Sequence, residues 1–353
     1  MIMLQQLKSH LEPVSSGYPL DKAQILSLLN GDADPWLFDS ANQLTEQQFG
    51  TDVYLRGIVE FSNYCVNKCA YCGLRSANRD VHRYRLNTEQ ILAAVDHIAS
   101  LGMGSVVLQS GDDYTYRADT IAEVIRAIRA KHDLAITLSL GDRQLDELTL
   151  WREAGADRYL LKMETFNRVL FNQHRHNANY DERIERIKHL QAVGYQTGSG
   201  IIVGLPGMNL DILADDILAL YALKLDMIAC GPYVTHPQTP MADQANGDVK
   251  LSLRVSAILR LMNPGTNIPA TSSLDALEAG ARERALNCGC NVVMPSFTPL
   301  QVSNQYAIYP GKNQSQIEVE ARLNGLKQAF SLHNRQPSSA RGDAKRGQYV
   351  SRN

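Results

Sequence analysis

The sequence predicts an α/β fold, a complete (β/α)8 TIM-type barrel with an N-terminal helical cap and a C-terminal flank. Eight apolar, β-branched runs recur along the chain, with helical periodicity between them. The length of 353 residues suits one barrel-sized domain. The rival, an open doubly wound sheet, is disfavoured because the alternation has no break and the chain has no dinucleotide-binding glycine motif.

Residues 1–50 read as a cap of small helices. Ile25, Leu26, Leu28 and Leu29 mark one helical segment over 21–30 and a second covers 36–49, with Gly31, Asp32 and Pro35 turning the chain between them. The barrel and its C-terminal flank take residues 51–334. Strands are expected at 53–61, 105–109, 135–140, 157–163, 196–203, 226–230, 267–271 and 291–294. Helices are expected at 88–100, 120–132, 145–153, 181–193, 210–223, 251–261 and 276–288, with a last one at 317–333. Asn87-Thr88-Glu89-Gln90 offers an N-cap, and Gly102, Gly155 and Gly194 stand where left-handed stops are useful. From residue 335 to 353, Pro337-Ser338-Ser339-Ala340-Arg341-Gly342 and the polar end read as a flexible tail.

A hydrophobic fraction of 44% and a charged fraction of 20% describe an ordinary globular protein. A formal net charge of −2 supplies no general basic field, so no nucleic-acid partner is expected, although a local basic patch stays open. No apolar run reaches membrane-spanning length and the N-terminus lacks an export pattern, which points to a cytoplasmic monomer with no membrane partner. Six cysteines in a chain of this size do not make a disulfide scaffold.

Three of those cysteines define the chemistry. Cys65, Cys69 and Cys72 are spaced C-x3-C-x2-C directly after the first apolar run, with Tyr71 before the last. Closely spaced thiolates suit zinc or an iron-sulfur cluster. Structural zinc normally completes a tetrahedron with a fourth cysteine or histidine, and the nearest following histidine is His82. Three thiolates instead reach three corners of a cubane and leave one iron open. This spacing resembles the radical SAM superfamily, whose members bind S-adenosylmethionine (SAM) at that iron. Cys230, Cys288 and Cys290 read as scattered buried thiols, with a second metal site as the alternative. Gly311-Lys312 lacks the lead-in of a phosphate loop.

Ligand sites of barrels lie where the strands end. After the second strand, Gly111 and Asp112 are candidates for the SAM ammonium, or else an Asx turn. Thr137 and Ser139 close the third strand. Lys162 and Glu164 close the fourth, the first suited to a substrate anion and the second to ribose hydroxyls, or the two form a barrel-mouth ion pair. Arg183 suits the SAM carboxylate. Gly204, in the glycine-rich stretch 198–207, permits close approach of adenine or methionine, or equally tight packing. His236 either moves a proton or holds its loop. Thr271 and Ser272 end the seventh strand, and Met294 ends the eighth as an apolar contact or as core.

Longer matches resemble the family of [FeFe]-hydrogenase maturases called HydE, related to biotin synthase and methylornithine synthase. They include residues 60–63 and 72–75, Val107-Leu108-Gln109-Ser110-Gly111, Thr137-Leu138-Ser139-Leu140-Gly141, Val203-Gly204-Leu205-Pro206-Gly207, His236-Pro237-Gln238-Thr239-Pro240 and Tyr309-Pro310-Gly311-Lys312. The resemblance covers about residues 20–330. It implies that Cys65, Cys69 and Cys72 hold one [4Fe-4S] cluster, that Glu164 and Arg183 position SAM, and that Ser110, Thr137, Thr271, Ser272, Tyr306 and Tyr309 border a substrate cavity. It further implies a 5'-deoxyadenosyl radical acting on an iron-cysteine-CO/CN precursor of the hydrogenase diiron subcluster, a reducing electron donor and hydrogenase-maturation proteins as partners.

Two departures stand out: Lys162-Met163 replaces an arginine-histidine pair, and Asp112 replaces a glutamate. Residues 313–320 contain no cysteine for a second cluster. The alternatives are a HydE-like or methylornithine-synthase-like enzyme for another small amino-acid or thiol-containing substrate, and a noncatalytic metallocluster scaffold.

Overall fold

A computed structural model describes residues 17–314 and 317–346. The first described elements are helices α1 (Lys22–Asn30) and α2 (Asp34–Phe49), followed by strands β1 (Asp52–Leu55) and β2 (Gly57–Ser62). Alternation then runs through α3 (Thr88–Ser100), β3 (Ser105–Ser110), α4 (Ala118–Lys131), β4 (Ala135–Ser139), α5 (Leu145–Ala154) and β5 (Arg158–Leu160). It continues with α6 (Arg168–His174), α7 (Tyr180–Ala192), β6 (Gln196–Val203), α8 (Leu210–Ala222), β7 (Met227–Pro232) and α9 (Val249–Met262). The last part holds α10 (Ser272–Leu277), α11 (Ala281–Leu286), β8 (Val292–Val293), α12 (Leu300–Ser303), α13 (Val319–Leu332) and β9 (Gln336–Ser338).

Local signals place the helix ends. Asn87 and Gln90 form a reciprocal capping box at α3, and Asp21 with Gln24 does the same at α1. Gly155 stops α5 with φ +118°, a left-handed value that glycine adopts without a Cβ clash. The two cap helices are held by charge as well as by apolar packing: Arg254 of α9 makes two bonds to Asp34, at 2.7 and 2.9 Å.

The expected complete, closed eight-stranded barrel is not what forms. Six strands pair in parallel in the order β2-β3-β4-β5-β6-β7, and a separate three-stranded sheet has the order β8-β1-β9. The first expected strand is split at Arg56, so that its halves enter different sheets. Residues 267–271 make no strand; single bridges join Met227 to Asn267 and Pro269 to Val292. The reason is local. Pro269 has no N–H to give to a ladder, and asparagine side chains take over part of the pairing. Ile268 N–H donates to Asn291 Oδ1 at 2.8 Å, and Asn291 Nδ2 donates to Asn267 Oδ1 at 2.8 Å. The eighth strand is only two residues long.

The stretch expected to be flexible is packed as far as it is described. β9 pairs with β1, and Arg335 is buried. Residues 339–346 form a strap across the starts of the central strands. There Asp343 Oδ1 lies 2.5 Å from Nη2 of Arg158, a fully buried arginine, while Gly342 O accepts from Arg56 and Asn267. No helix among the described residues is long and apolar enough to cross a membrane.

Candidate functional site

At the carboxyl ends of the strands lies a cavity of about 330 Å³. The loop after β2 brings Cys65, Cys69 and Cys72 to its wall. Backbone bonds pin this loop to three distant segments: Val66 N to Asp112 O at 3.1 Å, Ala70 N to His174 O at 2.8 Å, and Gly73 N to Ile308 O at 2.9 Å. Gly111 is required for the close approach, since a Cβ there would lie 2.2 Å from Tyr64 O and 2.7 Å from Cys65 Cβ. Burial, then the nearby Asp112 carboxylate, pushes the Cys65 thiol up to about 12. Burial, then Cys69 and Cys65, raises Cys72 as well. Cys65 and Cys72, which resist ionising alone, would be stabilised as thiolates by a cationic metal group. Among the described residues, no three His, Cys, Asp or Glu side chains gather as a site for a single ion. Three cysteines from one loop on one cavity wall form a donor set that suits three corners of an iron-sulfur cluster.

Beside the cysteines sits a charged wall. Glu164 adopts φ +69°, a sparsely populated conformation for a non-glycine residue, and is held by Glu164 N donating to Gly200 O at 2.9 Å and Ile202 N donating to Glu164 O. Lys162 Nζ pairs with Glu164 Oε2 at 3.0 Å, and both side chains line the cavity. Arg183 Nε donates to Lys162 O at 2.9 Å, and its Nη1 pairs with Asp142 Oδ2 at 2.5 Å. Burial opposes ionisation of Asp142, but Arg183, Arg175 and Arg186 prevail and hold its carboxyl below the usual range. Asp112 is raised instead, by burial and then by Asp142. Its Oδ2 accepts from Asn67 at 2.7 Å. Glu164 and Arg183, charged groups on one cavity wall, fit a ligand that carries hydroxyls, an ammonium and a carboxylate, as SAM does.

The cavity also gathers Tyr71, Ser110, Ser139, Thr271, Ser272, Met294, Tyr306 and Tyr309. Ser272 Oγ and Tyr309 Oη are 2.6 Å apart, and Gln109 Nε2 donates to Tyr306 Oη at 3.0 Å. Three expected residues are not on this wall. Thr137 faces a second, smaller cavity of about 40 Å³, its hydroxyl buried without a partner. His236 packs behind the cysteine loop, where a Cβ on Gly73 would lie 2.5 Å from its Nε2, and its Nδ1 accepts from Gln238 N at 3.1 Å. Gly204, at φ +78°, makes room for Gly247. Cys230, Cys288 and Cys290 are free and buried.

Sequence reasoning missed Arg175, Arg282 and Lys312, all on the cavity wall. Arg175 Nη1 donates to Tyr71 Oη at 2.8 Å. Lys312 reaches Glu60 Oε1 at 3.3 Å; burial lowers the lysine, yet Glu60 outweighs it and raises the ammonium's pKa. Only the His174-Arg175-His176 run, basic and next to a short helix, hinted at the first of these.

Residues 59–220 match the family described as the Radical SAM superfamily. The [FeFe] hydrogenase maturase subunit HydE of Thermotoga maritima is 41% identical over 276 residues, which cover 78% of this chain and 79% of that protein. The 3-methylornithine synthase of Methanosarcina barkeri is 27% identical over 301 residues, 84% of this chain and 85% of that one. Among solved structures, methylornithine synthase (PylB) is similar with a TM-score of 0.77 at 24% identity, covering 91% of this chain and 95% of that one. The maturase HydG from Carboxydothermus hydrogenoformans gives 0.77 at 19% identity, covering 96% and 78%. At these identities the structural likeness speaks for the fold.

Proposed function

This chain belongs to the radical SAM superfamily as a HydE-like member, and from that premise we propose that it processes an iron-cysteine-CO/CN precursor in assembly of the [FeFe]-hydrogenase diiron subcluster. The observation that carries the reading is the meeting of Cys65, Cys69 and Cys72 with Lys162, Glu164 and Arg183 on one cavity wall. Cys65, Cys69 and Cys72 would hold a single [4Fe-4S] cluster. When bound, cluster and SAM supply a one-electron reductive cleavage that yields the 5'-deoxyadenosyl radical.

The protein's own residues bind, orient and shield. Glu164 would accept from ribose hydroxyls through its carboxylate. Arg183 faces the SAM carboxylate, with Asp142 and Lys162 O holding the guanidinium in place. Arg175 fixes the Tyr71 ring beside the cysteines. Lys162 offers an ammonium to an anionic group of the substrate, in place of the family's flat two-pronged arginine. Tyr306 and Tyr309, tied to Gln109 and Ser272, close the side facing the last loop and exclude water.

The test is anaerobic turnover of the reconstituted, reduced protein with SAM and the precursor, following precursor loss and 5'-deoxyadenosine together. Coupled consumption is expected. SAM cleavage with the precursor unchanged moves the substrate to another small amino-acid or thiol-containing compound, and no cleavage leaves a metallocluster scaffold.

A further inference from the structure

The backbone that carries Glu164 is held from two sides. Glu164 sits at φ +69°, a conformation that persists in a non-glycine residue only where its surroundings fix it. β6 supplies one side, since Glu164 N donates to Gly200 O and Ile202 N to Glu164 O, each at 2.9 Å. The other side is the turn 165–167, and its anchor is Asp216 in the middle of α8. Phe166 N donates to Asp216 Oδ1 at 2.7 Å. Tyr180 of α7 donates its hydroxyl to Phe166 O at 3.1 Å, so the two backbone polar groups of one residue are gripped by two different helices. Thr165 and Asn167 also bear on the Asp216 carboxyl, and Asn167 N donates to Thr165 Oγ1 at 3.1 Å.

Asp216 stands where an apolar residue would be less costly to bury. It is fully buried, and its companions on the buried face of α8, Leu213, Ala214, Ile217 and Leu220, are all apolar. The charge that bears on it most is the like charge of Asp215. A carboxylate taken out of water without a cation to face it is costly unless hydrogen bonds hold it. The bonds that Asp216 receives come from the turn directly behind Glu164. Asp216, Thr165 and Phe166 are all off the cavity wall, whereas Glu164 lines it. The carboxylate of Asp216 therefore touches no ligand, but the residue next to the turn it anchors faces the cavity.

We propose that Asp216 is a positioning residue for SAM, holding the turn that aims the Glu164 carboxylate at the ligand. The inference rests on the reading of Glu164 as the acceptor of ribose hydroxyls. With Phe166 N released, the turn relaxes, Glu164 leaves its left-handed backbone conformation, and its carboxylate moves along the wall. A displacement on the order of 1 Å is enough to lose a hydrogen bond to a hydroxyl. Tyr180 acts on the same peptide from the opposite side, so its hydroxyl shares the task and carries a smaller part of it.

The test measures SAM affinity of the cluster-reconstituted protein by anaerobic titration calorimetry, and amide hydrogen exchange over residues 164–170 of the same protein without SAM. Asp216→Leu removes the acceptor and keeps the bulk; it should weaken SAM binding about tenfold and speed exchange in that segment. Asp216→Asn keeps an acceptor oxygen for Phe166 N and should bind SAM within about twofold of wild type. Ile217→Ala, the next residue of α8 and equally buried, opens a void beside the anchor and removes no hydrogen bond. It should lower the urea midpoint yet leave SAM affinity within about twofold of wild type. Tyr180→Phe, which removes the second grip, should weaken SAM binding about threefold and carries the test if Asp216→Leu does not fold. Wild-type affinity in Asp216→Leu or in Tyr180→Phe overturns the proposal. Weakening by Ile217→Ala or by Asp216→Asn equal to that by Asp216→Leu overturns it as well. Wild-type SAM affinity in Glu164→Gln would instead sink the reading of Glu164 as a SAM contact, while the exchange rates would still report whether Asp216 holds the turn.

Discussion

In the proposed reaction Lys162 is the residue placed to meet the substrate. It stands on the cavity wall 3.0 Å from Glu164, where under the proposed function its ammonium would meet an anion brought by the substrate. Lys162→Met should lower precursor turnover about 10- to 100-fold, the effect of one charge-assisted hydrogen bond of about 1.5–3 kcal/mol. SAM cleavage without precursor should change far less, and retention of full turnover would remove Lys162 from substrate binding. Asp216 makes a second prediction. Burial pushes its carboxyl up to about 6, although Phe166 N donates to it at 2.7 Å. A raised carboxyl binds its proton more tightly in the folded state, so its contribution to stability falls as pH climbs from about 4 to about 6 and is flat above. Asp216→Asn should abolish that slope in urea unfolding series; an unchanged slope would assign it to other groups.

At the scale of elements, the seventh position shows how side chains stand in for a strand. Asn291 Oδ1 accepts from both Ile268 N and Arg260 Nη2. Asn291→Ala strands two buried donors, at about 1–3 kcal/mol each, and urea midpoints should fall accordingly. The sequence pattern could not show this arrangement, because an apolar run with one proline reads as a strand until its hydrogen-bond partners are known. The cysteine loop was legible for the opposite reason, since all three thiols lie within eight residues. Glu164 and Lys162 were legible from their place at a strand end. Arg175, Arg282 and Lys312 were not, because an isolated cation usually means solvent, and only the fold brings Lys312 to Glu60. For His236 the sequence left two roles open, moving a proton or holding its loop, and only the fold shows its ring against the back of Gly73.

At the scale of the whole molecule, the strap over residues 339–346 joins the last part of the chain to the first strands. Asp343 is the carboxylate paired with the fully buried Arg158. Asp343→Ala should cost about 1–3 kcal/mol, less than a fully buried pair because the Asp343 side chain is 43% exposed. A urea midpoint unchanged by the substitution would show that Ser105 and the Arg341 carbonyl suffice for Arg158. The strap covers the starts of the strands, while the cavity opens among residues at their carboxyl ends. Under the proposed function, substrate and SAM would then share one face for loading, and product-inhibition patterns should show an obligatory order of addition; random-order patterns would show that the two enter independently.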